Sequence, residues 1–215
     1  MKQTFFTILL VTGCFIFSYG QKKDEINFSD PLQVDSSEYF LIPKLIDNDN
    51  QQAYGKGKGY VPWGNYSDIF FYNAQTNQSK KLFSEQLALI VPFFARRSYY
   101  DTDNNKAKET PANLLPKHIV YLARTENFNG DNALDTEDPI YLYISTKTGE
   151  NLKQITPKGF NVITWTISKN NQLILVKGEN DKNNNKKFGN GDDELYYRID
   201  LNEDISKIKC YQINL

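Results

Sequence analysis

Two short loops carry the side chains whose types and spacing point most directly to chemistry. In Asn127-Phe128-Asn129-Gly130-Asp131 the oxygen-bearing residues alternate, and Asp135 and Asp138 follow at wider spacing. Asp181, Asn183 and Asn185 alternate in the same way and are followed by Asp192. Alternation puts side-chain oxygens on one side of a tight loop, and calcium takes six to eight hard oxygens. The same residues also make plain turns, because Asn and Asp bond their own backbone and tolerate left-handed conformations.

Set against the twelve-residue calcium loop, the first stretch resembles the EF-hand type. Asn127, Asn129 and Asp131 fall at positions 1, 3 and 5, the Ala133 carbonyl at 7, Asp135 at 9 and Asp138 at 12. Leu134 takes the apolar anchor position. Asn132 stands where that loop has Gly, the closing residue is Asp rather than Glu, and no helices flank it. The second loop offers Asp181, Asn183, Asn185, the Lys187 carbonyl and Asp192, with Phe188 as anchor; Lys182, Lys186 and Lys187 oppose a cation there. Asp47-Asn48-Asp49-Asn50 and Asp101-Thr102-Asp103 begin similarly but lack a closing carboxylate. The expectation is calcium as a structural staple, with no part in catalysis.

Other candidates are thinner. His118, the only histidine, opens an apolar strand with no nucleophile or acidic partner in its own segment, and general-base work needs both within reach. No G-x-S-x-G, H-E-x-x-H or C-x-x-C is present. Gly55-Lys56-Gly57-Lys58-Gly59 lacks the spacing of a phosphate loop. Tyr54, Tyr60, Trp63 and Tyr66 sit among Gly and Lys in a long insertion between two strands. Exposed, those rings could stack on sugars or anchor a protein partner; the alternative is a loop that folds them onto the core. Arg96-Arg97-Ser98-Tyr99-Tyr100 is a weaker candidate of the same sort.

The elements that must position these residues read as strands almost throughout. A signature recurs as Ile69-Phe70-Phe71-Tyr72, Ile140-Tyr141-Leu142-Tyr143 and Leu195-Tyr196-Tyr197-Arg198. Each follows an apolar strand: Phe40-Leu41-Ile42, Ile119-Val120-Tyr121-Leu122 and Leu173-Ile174-Leu175-Val176. Each precedes a second edge: Lys81-Leu82-Phe83, Leu152-Lys153-Gln154-Ile155 and Lys207-Ile208-Lys209. Such recurrence predicts an internal repeat with units at about 38–83, 87–156 and 162–215. The one helical suspicion is Ser84 to Leu89.

The last copies are similar to the TolB-type β-propeller repeat. Tyr141-Leu142-Tyr143-Ile144, Gly149-Glu150-Asn151-Leu152 and Gln154-Ile155-Thr156-Pro157 match its strand, Gly turn and ending. Val162 to Ile167 and Ser168 to Leu175 sit where that repeat has its Trp strand and Pro-Asp-Gly turn, here Lys169-Asn170-Asn171. The resemblance implies an all-β fold of antiparallel propeller-like blades and a protein partner at the cell envelope. Propellers close with four to eight blades; about three are legible, so the chain is not expected to close a ring alone. An open stack, or a homodimer completing the ring, would answer that.

The N-terminus reads as an address. Lys2 and the apolar run Phe5 to Phe17 form a signal peptide over residues 1–20, with cleavage before Gln21. A rival reading takes Val11-Thr12-Gly13-Cys14 as a lipobox with Cys14 acylated. Residues 21–215 then make one domain. Export without Cys14 leaves Cys210 alone, which excludes an intrachain disulfide. With 25 basic and 26 acidic residues, nothing draws nucleic acid electrostatically, and no later apolar run is long enough to span a bilayer. The expectation is an exported, non-enzymatic binding or scaffold protein of the bacterial envelope, periplasmic or extracellular. A glycan-binding module is the alternative, and a small calcium-dependent hydrolase or lyase a further one.

Overall fold

A computed structural model describes residues 26–46, 66–83, 88–91 and 115–215. Twelve strands in the described residues form three antiparallel meanders of four. The first holds β1 (Leu32–Gln33), β2 (Tyr39–Leu45), β3 (Tyr66–Asn73) and β4 (Gln78–Lys81). The second holds β5 (Leu89–Ile90), β6 (His118–Arg124), β7 (Tyr141–Thr146) and β8 (Lys153–Gln154). The third holds β9 (Phe160–Ile167), β10 (Leu173–Asn180), β11 (Asp193–Asp200) and β12 (Lys209–Ile213).

The fold is all-β and antiparallel, and no barrel closes. The first two meanders share one eight-stranded sheet because β3 divides its partners. Its far half pairs with β4, while Tyr66 at its start pairs with Ile90 of β5. That single residue pair is the whole ladder between the two meanders among the described residues. The third meander is a separate sheet ordered β12-β11-β10-β9.

The middle strands β6 and β7 show why the layers stack. Side chains alternate across a strand, and here both faces are apolar. Ile119, Tyr121, Ala123, Tyr141 and Tyr143 join a core with Leu41, Ile69 and Phe71 of the first meander. Val120, Leu142 and Ile144 join a second core with Phe160, Val162, Ile174, Val176, Tyr197 and Ile199 of the third. A strand buried on both sides reads as a continuous apolar run, which is what Ile119 to Ala123 and Tyr141 to Ile144 are. Two phenols are buried completely, Tyr121 and Tyr141; Tyr121 bonds Ser145 Oγ at 2.7 Å and Tyr141 bonds Glu126 Oε2 at 3.1 Å.

Turns account for the heavy use of Asn. Asn77, Asn151 and Asn171 sit at φ of 54°, 56° and 55°, where Asn is the least strained residue after Gly. Gly149 is required twice over. It has φ +73°, and a Cβ there would stand 2.4 Å from the Phe71 ring.

Two local expectations are corrected. Leu89 lies in a strand and Ala88 just before it, neither in a helix, and Ser84 to Leu87 of that suspected helix lie outside the described residues. Lys207-Ile208 is not an edge strand. Ile205–Lys207 is a 3-10 turn whose start is capped by Asp204, and Ile205 and Ile208 drop into the second core before β12 begins at Lys209. Similarly, β4 ends at Lys81, and Leu82 and Phe83 turn into the first core. In each case a buried apolar residue ends the extended run that alternation alone would continue.

Truncating Leu142, fully buried between two sheets, should cost about 2–5 kcal/mol as Leu142→Ala. Leu175→Ala, on the exposed outer face of the third meander, should stay within about 0.5 kcal/mol. Urea unfolding of both variants checks the contrast, and equal losses would refute the burial of Leu142 in the second core.

Candidate functional site

The two acidic-amide loops occupy the same connection in successive meanders. Residues 125–140 join β6 to β7, and residues 181–192 join β10 to β11, the second and third strands each time. The corresponding connection of the first meander, 46–65, carries Tyr54, Tyr60 and Trp63, which lie outside the described residues. Tyr66 does not join them as a surface ring. It starts β3 just beyond a bulge between Lys44 and Leu45 and is 3% exposed in the first core. Its ring faces inward with Ile69 and Phe71, so it cannot stack on a ligand at the surface. Asp47 to Asn50, Arg96 to Tyr100 and Asp101 to Asp103 are also outside the described residues.

Both described loops are wired alike. Asn129 Oδ1 accepts from Asp131 N at 3.0 Å and Asp131 Oδ1 from Ala133 N at 2.8 Å. In the second loop Asn183 Oδ1 accepts from Asn185 N at 2.9 Å and Asn185 Oδ1 from Lys187 N at 2.8 Å. The closing carboxylates also match: Asp138 takes Phe128 N at 2.8 Å, and Asp192 takes Lys182 N at 3.1 Å. Gly130 and Asn132 have φ of 76° and 67°, and Asn184 and Lys186 have 57° and 59°. The alternation in the sequence therefore encodes a definite backbone path, two left-handed residues bracketed by side chains that cap the N–H groups two residues on.

The loops also touch. The rings of Phe128 and Phe188 lie 5.3 Å apart, and Lys186 Nζ stands 3.9 Å from where a Cβ on Gly130 would be. Leu134 anchors the first loop against Ile46 and Leu89. So the 127–138 loop contacts segments from the first and third meanders as well as its own.

Burial separates the pair. Asp135 and Asp138 are each 2% exposed, whereas Asp192 is half-buried and its neighbours Asn183 and Asn185 are exposed. Asp138 Oδ2 accepts from Asp135 N at 3.0 Å and Asn127 Oδ1 from Gly130 N at 2.7 Å. Burial, the largest influence, and the Asp135 charge push the Asp138 carboxyl above its usual value, and its backbone donors oppose them. Asp135 Oδ1 takes Glu137 N at 2.9 Å, but its Oδ2 is buried without a donor. Sequence reading missed Arg124. Burial lowers its pKa while Asp138 and Asp135 act to raise it, and its Nε donates to the Asp138 carbonyl at 2.9 Å. Only its place at the end of β6, just before the loop, could have signalled that.

Among the described residues no three His, Cys, Asp or Glu side chains stand close enough to hold a metal by themselves. A cation here must draw on amide and carbonyl oxygens too, which suits calcium and not zinc.

At the other end of β6 and β10, a cleft of about 750 Å³ is lined by Lys117, His118, Asn171, Gln172, Glu203 and Lys207 among others. Lys117 and Glu203 pair across it. His118 is 4% exposed, with Nε2 3.4 Å from the Glu203 carbonyl. That contact holds a ring in place and offers no nucleophile. Burial, then Lys147 and Lys117, hold the imidazole below its usual 6.5. Cys210, half-buried beside the second core, has its thiol pushed up by burial to about 11, which leaves little thiolate to react. No family model matches the chain, and neither does any curated protein or solved structure.

Two outcomes follow. Asp138→Ala strands the buried Asp135 N–H and the part-buried Phe128 N–H and should cost about 1–3 kcal/mol, whereas Asp192→Ala in the more exposed loop should cost under about 1 kcal/mol. Urea midpoints measure both. For His118 the folded value is the lower one, so stability is full above pH 6.5 and falls as pH drops below it. Unfolding midpoints around pH 7.5 and around pH 5.5 should differ less in His118→Gln than in the parent; an unchanged difference would assign the loss to other groups.

Proposed function

We propose that this chain is an exported, non-catalytic binding or scaffold protein of the bacterial cell envelope, recognising a protein partner through the end where its long loops emerge. The observation that carries the reading is the meeting of the 127–138 and 181–192 loops through Phe128 and Phe188. They stand on strands packed from both sides. Loops held on a rigid layered scaffold are the usual place for recognition. The TolB-type likeness in residues 140–201 favours the same reading, with the blades as support and the loops as the working surface. No helix among the described residues is long and apolar enough to cross a membrane.

Calcium belongs to this reading as a staple for the loop end, held by oxygen ligands and away from any substrate. The glycan alternative rested on four aromatic residues, and one of them, Tyr66, is committed to the core. A hydrolytic reading finds less support. The carboxylate with a raised pKa, Asp138, is tied to backbone N–H groups inside a loop, and the open cleft lies at the opposite end.

The test is retention of envelope proteins from the source cells on the immobilised chain from Gln21 onward, beside a panel of soluble glycans. A specific protein should be retained by the parent and lost when the exposed loop residues Thr136, Glu137 and Lys187 are changed to Ala. Retention indifferent to those changes would sink the loop assignment. Capture of glycans alone would sink the protein-partner reading.

A further inference from the structure

We infer that the 127–138 loop holds a single calcium ion, that the 181–192 loop holds none, and that Lys186 of the second loop sets how tightly the first one binds. This rests on calcium being the loop staple.

Shared wiring makes the two loops look interchangeable; the state of their carboxylate oxygens does not. In the second loop every such oxygen is already met by an N–H. Asp181 Oδ1 and Oδ2 take Asn185 N at 3.0 Å and Lys186 N at 2.8 Å. Asp192 Oδ1 takes Lys182 N at 3.1 Å and Asn183 Nδ2 at 3.3 Å, and Oδ2 takes Gly189 N at 3.0 Å. Lys182, Lys186 and Lys187 add positive charge within the loop. Its negative charge is therefore balanced from inside, and a cation would have to displace backbone donors to enter.

The first loop is not balanced. Asp135 is 2% exposed, and its Oδ2 is enclosed with no donor. A carboxylate oxygen held from water without a partner is unfavourable, and a bound cation would supply the partner it lacks. Arg124 feels the Asp135 charge, but its Nε bond goes to the Asp138 carbonyl, and no bond reaches Asp135 Oδ2. Beside Asp135 lies a second buried carboxylate, Asp138, and the same loop carries the amide oxygens of Asn127 and Asn129. Each of those amides spends one of its two lone pairs on a backbone N–H. Asp131, exposed at the rim, does not converge with Asp135 and Asp138 and adds its charge from the edge of the loop. Such a mixture of carboxylate, amide and carbonyl oxygen is calcium's preferred surroundings, and magnesium's strict octahedron fits a loop of this kind less well.

Lys186 gives the link between loops. Its ammonium lies beside Gly130, at the middle of the first loop. It is close enough to oppose a divalent ion and too far from Asp135 Oδ2 to bond it. At a separation of several ångströms near the surface, this repulsion is of the size that changes affinity about tenfold, and concentrated salt should screen it.

Calorimetric titration of the chain from Gln21 onward with calcium chloride decides the matter, with thermal unfolding as a check on folding. The parent should take up one equivalent. Asp135→Asn should lose it, and Asp131→Asn, exposed and safe for folding, should weaken it. Asp181→Asn should keep it unchanged. Lys186→Gln should tighten it about tenfold at low salt, with the gain shrinking in about 1 M potassium chloride. Two equivalents, or one lost with Asp181→Asn and kept with Asp135→Asn, would overturn the placement and leave calcium standing. Unchanged affinity in Lys186→Gln would overturn the role of the lysine. No uptake by any of these chains would overturn the calcium reading with everything built on it.

Discussion

The rest of the structure depends on two strands being apolar on both faces. β6 and β7 bury odd-numbered side chains against the first meander and even-numbered ones against the third. A half-buried sheet needs one apolar face. A sheet in the middle of a stack needs two, and no polar position is then free along the strand. Register follows from the same fact. A slip of one residue would exchange the tyrosine face of β7 (Tyr141, Tyr143) for its aliphatic face (Leu142, Ile144), and the hydroxyls that now reach Glu126 and Gln154 would meet apolar side chains.

Much of this was readable in the residues. The recurring aromatic-aliphatic strands lie where their pattern put them, because a run such as Ile119 to Ala123 has no other stable use than a buried strand. What could not be read depends on contacts distant in sequence. Tyr66 looks like its neighbours Tyr60 and Trp63 on paper. The bulge between Lys44 and Leu45, a property of two paired strands, turns its ring inward. Lys207-Ile208-Lys209 alternates like a strand, yet Ile205 and Ile208 both fill the second core and force a 3-10 turn between them.

The loops divide along the same line. Their Asx wiring is local, running between residues two to five apart, and so the spacing of Asp and Asn announces it. The burial of Asp135 and Asp138 is not local. It comes from Leu134 reaching Ile46 and Leu89, from Phe128 meeting Phe188, and from Arg124 at the end of β6. Two loops with one motif thus end in different electrostatic situations, a difference spacing alone does not contain.

The junction between the first two meanders has a further consequence. Their shared ladder is the single pair Tyr66 and Ile90, so among the described residues the layers are joined almost entirely by side-chain packing. Packing is lost cooperatively when water enters a core, whereas a long ladder is lost one bond at a time from its ends. The first meander is therefore held on the second by the core that Ile119, Tyr121, Tyr141 and Tyr143 share with Leu41, Ile69 and Phe71. Strand pairing does little there to fix one meander on the next, so the fit of side chains across the core must set how the two sit.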